Sequence, residues 1–302
     1  MKTNDFKAVI TNLKIEGHCC IDQALSIEEL YAIEKEIKRL MKTKKMCESA
    51  NAAMEQNVVS YGQGWTFREN LWRHSVRLKN YFLTGTLAQL AQKIFSTYED
   101  NQYQVGLLRD QTYFKKPGSE FTPWHQDGTF IPLPNISSIT FWIPFHHILD
   151  NMSPMFYVDK SHKCCWLDIG GSGHPDSVFV KDFEASLNTL RKEGYQITTY
   201  HNLNPGDVLV HDSWTLHGSP THTGHKPRFA IVVVYYIVHG RVELVPEIRL
   251  LSKSDSAQAR RLRQLNLDDL FPDMNNVVLI GSNPRTPTLI RKNQPIIFDI
   301  AK

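Results

Sequence analysis

The chain has no run of about 18 apolar residues, so no membrane-spanning helix is expected. Its opening Met-Lys-Thr-Asn-Asp-Phe-Lys lacks the apolar core of a secretory signal. Charge of one sign is scarce: 34 Lys and Arg stand against 31 Asp and Glu, a formal net charge of +3. So small an excess does not argue for nucleic acid, where a clustered basic face would be expected. The cysteines, Cys19, Cys20, Cys47, Cys164 and Cys165, are odd in number, and four lie in adjacent pairs. Adjacent cysteines are poorly placed to bridge one another. Neither Cys-x-x-Cys nor a Cys/His zinc spacing occurs. Reduced thiols in a cytoplasmic protein are therefore expected, with Cys164 and Cys165 as small buried residues. Repeats and low-complexity tracts are missing too. What is present is ordinary globular material, 41% apolar and 22% charged. That excludes a disordered chain, a collagen and a coiled-coil rod.

The first hundred residues read as helical. Ser26 and Glu29 form a capping-box pattern that opens a helix over 27–41. There Leu30, Ile33, Ile37, Leu40 and Met41 recur at helical spacing. A second helix is predicted over 83–98, with a polar loop at 43–64 between the two. From residue 103 the period changes. Strands are predicted at 105–114, 138–145, 155–159, 195–200, 207–211 and 229–238, short and rich in β-branched and aromatic residues. Residues 164–194 read as a long excursion, with a Gly170-Gly171-Ser172-Gly173 loop and a short helix near 183–191. Many strands after a helical lead-in imply a mainly β jelly roll with flanking helices. We expect one domain over 1–302: a largely helical part to 102, a β core over 103–240 and an extension over 241–302.

The chemistry centres on Trp124-His125-Gln126-Asp127. In an extended chain residues i and i+2 share a face, so an imidazole and a carboxylate project together. A second histidine belongs to the stretch from His211 to Ser219, where His211, His217, His222 and His225 compete for the role. Spacing to Arg228 and the following Gly218-Ser219 favour His217, with most of the others solvated. Two histidines and a carboxylate on one side of a metal, with the other side open, suit non-haem Fe(II). Arg228 opens the apolar strand 228–238, where a guanidinium is costly without an anionic partner. Its planar fork suits a carboxylate. Ser219 faces the same way as His217 and adds a hydroxyl. In 138–145, Ile139, Phe141, Ile143 and Phe145 form a core face, while Ser138, Thr140, Trp142 and Pro144 form a mixed face fit for a barrel interior. Trp142 there suits stacking on a cosubstrate. Lys115 and Lys116 read as a solvated face, or as a basic pair beside an anionic substrate.

These segments together resemble the phytanoyl-CoA dioxygenase family of Fe(II)/2-oxoglutarate-dependent oxygenases. The matching text is Asp110-Gln111-Thr-Tyr-Phe-Lys-Lys-Pro117-Gly118, Thr122-Pro-Trp-His-Gln-Asp-Gly128, Thr140-Phe-Trp-Ile-Pro-Phe145, Asn204-Pro-Gly-Asp-Val-Leu209, His217-Gly-Ser219 and Arg228. The resemblance covers about residues 103–240 and implies a double-stranded β-helix. It implies Fe(II) on His125, Asp127 and His217, with no catalytic residue beyond these ligands. Arg228 and Ser219 would bind the distal carboxylate of 2-oxoglutarate, Trp142 would line that site, and Gln111 is a further candidate there. The chain departs from the family after the tryptophan strand, where Asn151-Met-Ser-Pro-Met-Phe-Tyr-Val-Asp-Lys-Ser161-His162 lacks both usual glycines. Asp127 is intact, which favours hydroxylation over halogenation.

The expected activity is oxidation of a C–H bond in a small organic metabolite, with O2 and 2-oxoglutarate consumed. The substrate is expected to meet the 164–194 excursion and the stretch 43–66, near Trp65, Phe67 and Arg68. A non-catalytic binding protein on the same scaffold is the alternative. A zinc hydrolase with the same ligands is a third reading, and it leaves Arg228 and Ser219 without a task.

Overall fold

The computed structural model describes residues 2–42, 65–97, 104–129, 131, 137–164, 181–238 and 278–279. The expected loop at 43–64, the Gly170–Gly173 loop and nearly all of 241–302 lie outside the described residues.

Helix α1 (Phe6–Glu16) starts at the Asp5 cap and stops at Gly17, whose φ of 87° closes the turn. Strand β2 (His18–Ile21) follows at once and pairs in parallel with β1 (Lys2–Thr3). The helical reading of the first hundred residues is corrected here. Residues 18–21 carry a short, fully buried run that the large sheet claims as a strand. Helix α2 (Ile27–Met41) has the bounds the pattern predicts, with Ser26 accepting from the Glu29 N–H. Only half of the capping box forms. The Glu29 carboxylate turns instead to the Thr86 hydroxyl, at 2.7 Å.

A helix that the pattern does not show, α3 (Val76–Thr84), precedes the one expected over 83–98, which is α4 (Thr86–Phe95). Gly85 between them is extended, and a Cβ there would lie 2.4 Å from the Tyr81 carbonyl oxygen. Only glycine tolerates so close an approach. The helices are amphipathic, and their apolar stripes cover one face of the large sheet. Burying a side chain such as Ile33, Ile37 or Phe82 there contributes roughly 1.5–3 kcal/mol.

Beyond these, the strands are β3 (Trp65–Glu69), β4 (Gln104–Lys115), β5 (Thr122–His125), β6 (Ser138–Pro144), β7 (Phe156–Val158), β8 (Ile197–Thr199), β9 (Val208–Asp212), β10 (His217–Ser219), β11 (Arg228–Val238) and β12 (Val278–Leu279). Residues 65 and 66, the end of the stretch expected to meet the substrate, belong to a strand that pairs with β4. The large sheet runs β1-β2-β9-β6-β11-β4-β12, with β3 also on β4. The small sheet runs β5-β10-β7-β8. Helix α5 (Phe183–Lys192) backs the small sheet, where Phe183 stacks on Trp124 at 4.9 Å.

Strand parity sorts the side chains. On β11, Phe229, Ile231, Val233 and Tyr235 join the helix-side core, with Phe141 and Ile143 of β6. Ala230, Val232, Val234 and Tyr236 join an inner cluster with Trp142, Leu209 and Tyr157. The small sheet supplies Tyr157, so this second cluster lies between the two sheets. The architecture is mainly β with flanking helices, a double-stranded β-helix of the jelly-roll kind. No helix among the described residues is long and apolar enough to cross a membrane.

Candidate active site

His125 ends β5 and His217 begins β10, and the two are register partners. Asp127 sits on the short 3-10 turn Asp127–Thr129 just past β5. That turn is strapped to the segment after β9. Gly128 N donates to the Ser213 carbonyl at 2.7 Å, and Gln126 Nε2 donates to the Trp214 carbonyl at 2.5 Å. Gly128 lies against the Trp214 indole, where a Cβ would meet ring carbon at 2.4 Å. A side chain at 128 would push the turn, and Asp127 with it, out of place.

One ligand atom from each of His125, Asp127 and His217 lies within 4.8 Å of the other two. Nδ1 of His125 is 2.8 Å from the Pro123 carbonyl, and Nδ1 of His217 is 2.9 Å from the Thr215 carbonyl. A carbonyl only accepts, so each Nδ1 carries a proton, which leaves Nε2 of each ring as the atom facing the site. Burial, with His125 and His211 nearby, holds His217 well below the usual histidine value, so its ring is neutral. Burial alone would raise the Asp127 carboxyl. His211, His217 and Arg109 override that and hold it well below the usual carboxylate range. Asp127 Oδ2 accepts from the Thr140 hydroxyl at 2.8 Å, and His211 Nε2 stands 3.5 Å from it. Asp127 Oδ1 lies 3.9 Å from both His125 Nε2 and Arg109 Nη2. Two imidazole Nε2 atoms beside an ionised carboxylate are the donor set a divalent metal takes.

The far end of the interior is basic. Arg228 and Lys115 are register partners on β11 and β4, exposed by 2% and 0%. Burial lowers the Arg228 guanidinium to about 10. Arg228 Nη1 donates to the Ser153 carbonyl, while its buried Nε has no hydrogen-bond partner. The guanidinium carbon lies 5.5 Å from the Trp142 ring. Lys115 Nζ donates to Ser153 Oγ and Ser219 Oγ at 3.0 Å each, and to the Glu120 carbonyl at 3.2 Å. Ser219 therefore reaches Arg228 through Lys115 and Ser153. Ser153 offers both its oxygens to these cations from a left-handed backbone, φ 57°. Gln111 faces the same interior, opposite Val232, and is tied to Glu69 and to the Tyr113 hydroxyl.

Several expectations are corrected. His211 and His222, expected in solvent, are buried, because β9 and the turn after β10 carry them inward. Lys115 is buried rather than solvated, since it shares the inner face of β4 with Arg109, Gln111 and Tyr113. Cys164 is exposed at the end of a 3-10 turn. Arg109, Thr140 and Ser153 carried no functional assignment in the sequence reading. For Arg109 and Lys115 a signal existed: counting by two from Gln111 places both on its face.

Among known proteins, the family model described as phytanoyl-CoA dioxygenase (PhyH) matches residues 14–230. The chain belongs to the phytanoyl-CoA dioxygenase family. It is thus a 2-oxoglutarate-dependent dioxygenase of the non-haem iron type, using Fe(II), 2-oxoglutarate and O2. No curated protein sequence matches. Among solved structures it is similar to the carbocyclase SnoK of nogalamycin biosynthesis. That match has 17% identity and TM-score 0.64, covering 92% of this chain and 97% of that one. The epimerase SnoN of the same biosynthesis matches at 15% identity and TM-score 0.62, covering 91% and 97%. EctD from S. alaskensis, with 2-oxoglutarate and 5-hydroxyectoine, matches at 16% and TM-score 0.58, covering 78% and 77%. At these identities the structures share the fold of this family member.

Proposed function

We propose that His125, Asp127 and His217 hold Fe(II), that Arg228 and Ser219 bind the distal carboxylate of 2-oxoglutarate, and that the enzyme hydroxylates or otherwise oxidises a C–H bond of a small organic metabolite. One observation carries this reading: three ligand atoms meet within 4.8 Å in an interior whose other end holds a buried guanidinium. The donor set fits ferrous iron, with two imidazoles whose Nδ1 protons are committed to backbone carbonyls and one ionised carboxylate. When bound, the metal with 2-oxoglutarate and O2 supplies the oxidising chemistry, in which the cosubstrate is decarboxylated to succinate and CO2.

The chain's own residues do the rest. The Thr140 hydroxyl holds Asp127 Oδ2, with His211 Nε2 3.5 Å away, and Oδ1 lies on the His125 side. Trp142 packs against the Arg228 guanidinium and shields it from water. Leu209, Val232 and Val234 line the interior between the two ends and exclude solvent. Gln111 is a further candidate contact to the cosubstrate. The neighbours include an epimerase, a carbocyclase and a structure holding 5-hydroxyectoine. They support a scaffold for C–H oxidation in small molecules. The test is anaerobic addition of Fe(II) and 2-oxoglutarate. The expected result is a weak visible charge-transfer band in the native protein and none in His217→Ala, with succinate released once O2 is admitted. A native protein without the band, or His217→Ala with an unchanged one, overturns the reading.

A further inference from the structure

The three proposed metal ligands straddle the two sheets. His125 and His217 stand on β5 and β10 of the small sheet. Asp127 is held from the large sheet, by the Thr140 hydroxyl of β6 and, through Gly128 N, by the Ser213 carbonyl just past β9. Closure of the triad therefore depends on how far apart the sheets sit at this end. Burial of apolar surface has no direction and sets such a spacing loosely. A buried, hydrogen-bonded polar group adds the direction.

His18 is such a group, and nothing in the proposed chemistry uses it. It lies on β2 of the large sheet, 2% exposed, as the register partner of His211 on β9. Both of its ring nitrogens reach across to the small sheet. Nδ1 is 2.9 Å from the Tyr200 hydroxyl, just past β8, and Nε2 is 3.1 Å from Asp159 Oδ1, just past β7. Burial alone would raise the Asp159 carboxyl; its bonds from His18 and Thr198 override that and hold it below the usual carboxylate value. A carboxylate accepts, so His18 Nε2 carries a proton. The ring stacks on Tyr157 of β7, with centroids 4.6 Å apart and planes 14° from parallel. Tyr157 is the register partner of His217, and its hydroxyl lies 3.4 Å from His211 Nδ1. The His211 ring is 4.3 Å from that of His217. The column His18, Tyr157, His211, His217 thus alternates between the large and the small sheet, and Asp159 and Tyr200 pin the end away from the metal.

We propose that His18 is a positioning residue, a buried cross-tie that fixes the spacing of the two sheets at the metal end and with it the distance from Asp127 to the two ligand imidazoles. This rests on the oxygenase reading above. The probes are Fe(II) affinity, by competition with a chelator, and the wavelength of the anaerobic charge-transfer band with 2-oxoglutarate. His18→Leu fills the site but loses the ring and both bonds. It is expected to bind Fe(II) about ten-fold more weakly, the low end for groups behind a ligand, with the band displaced from its native position. Asp159→Ala, at the partly exposed end, removes one tether and is expected to weaken Fe(II) about three-fold, as for one hydrogen bond of modest net worth. If His18→Leu does not fold, Asp159→Ala decides. Leu13→Ala empties a buried position of α1 in the helix-side core. It is expected to leave both readouts at their native values. Native affinity and band in His18→Leu or in Asp159→Ala, or an equal loss in Leu13→Ala, overturns the inference alone. A native protein that binds no Fe(II) and gives no band overturns the oxygenase reading along with it.

Discussion

At one end of the β-helix interior a carboxylate is ringed by bases: Asp127 has His125, His211, His217 and Arg109 about it. At the other end two cations, Lys115 and Arg228, sit on paired strands and reach neutral oxygens. The first end is largely organised by its own chain. Each ligand histidine donates to a carbonyl two residues earlier, and the Asp127 turn is strapped by Gly128 and Gln126. The second end buries two basic groups on facing strands, Lys115 and Arg228, a setting that suits an anionic ligand. On the proposed reading the difference separates two jobs, holding a metal and receiving the cosubstrate's far carboxylate, and each predicts a different response to substitution.

The largest effect is expected from Asp127→Ala. It removes the carboxylate and leaves Arg109 and His211 facing a gap. Succinate release should fall by more than the 10- to 100-fold that changes behind a ligand usually cost. Metal analysis of the purified variant, set beside its turnover, checks this. Arg228→Met comes next and acts at the opposite end. Truncating one partner of a buried charge pair costs about 2–5 kcal/mol, so 2-oxoglutarate affinity should drop roughly 100-fold while iron binding holds. If iron affinity fell with it, the two ends would not be separable.

The unequal construction also explains what could be read in advance. His125, Asp127 and His217 stand in short local patterns, and parity places Trp142 and Arg228 on the inner face without any tertiary knowledge. The strands 105–114 and 229–238 were legible because β-branched and aromatic residues gather in runs of ten, the second of them wholly apolar. His211 was not legible, because a histidine on an inward-facing strand position and one in a solvated loop look alike until the partner strand is known. Its neighbour across the ladder, Thr140, supplies that knowledge. Strand β2 was hidden because four buried residues between two helices have no period to detect. The break at Gly85 depends on a close approach to the Tyr81 carbonyl that sequence spacing does not display.

A smaller effect should come from Thr140→Val. It removes the hydroxyl that holds Asp127 Oδ2 at 2.8 Å and nearly conserves volume. Outer-layer hydrogen bonds to metal ligands are typically worth 10- to 100-fold in affinity. With His211 still beside the same oxygen, the low end is expected, about ten-fold weaker Fe(II) binding by competition with a chelator. Preference for 2-oxoglutarate over a five-carbon 2-oxo monoacid should not move, because Thr140 touches Asp127 and not Arg228.

The smallest effect on either end should come from a variant that changes stability alone. Glu36 of α2 is buried in the helical layer, on the other side of the large sheet from the interior. Its carboxylate accepts from Arg39 Nη2 at 2.7 Å, Arg39 Nε at 2.9 Å and Ser75 Oγ at 2.6 Å. The Arg39 bonds, helped by Ser75 and opposed by burial, bring its carboxyl down from 4.5 to about 2. A group depressed in the folded state adds stability above its unfolded value and loses it as pH falls through the folded one. Glu36→Gln should therefore cost about 1.5–3 kcal/mol at neutral pH, as for a hydrogen bond to a charged group. The gap to the native protein should narrow as pH drops from 4.5 toward about 2. Urea unfolding at pH 7 and pH 3 measures it. Iron and 2-oxoglutarate titrations on the same variant should stay within two-fold of native. Losses at both ends in Glu36→Gln would mean that the Asp127 and Arg228 effects report general loosening of the fold. Unchanged titrations beside a lowered urea midpoint would assign those effects to the local charges.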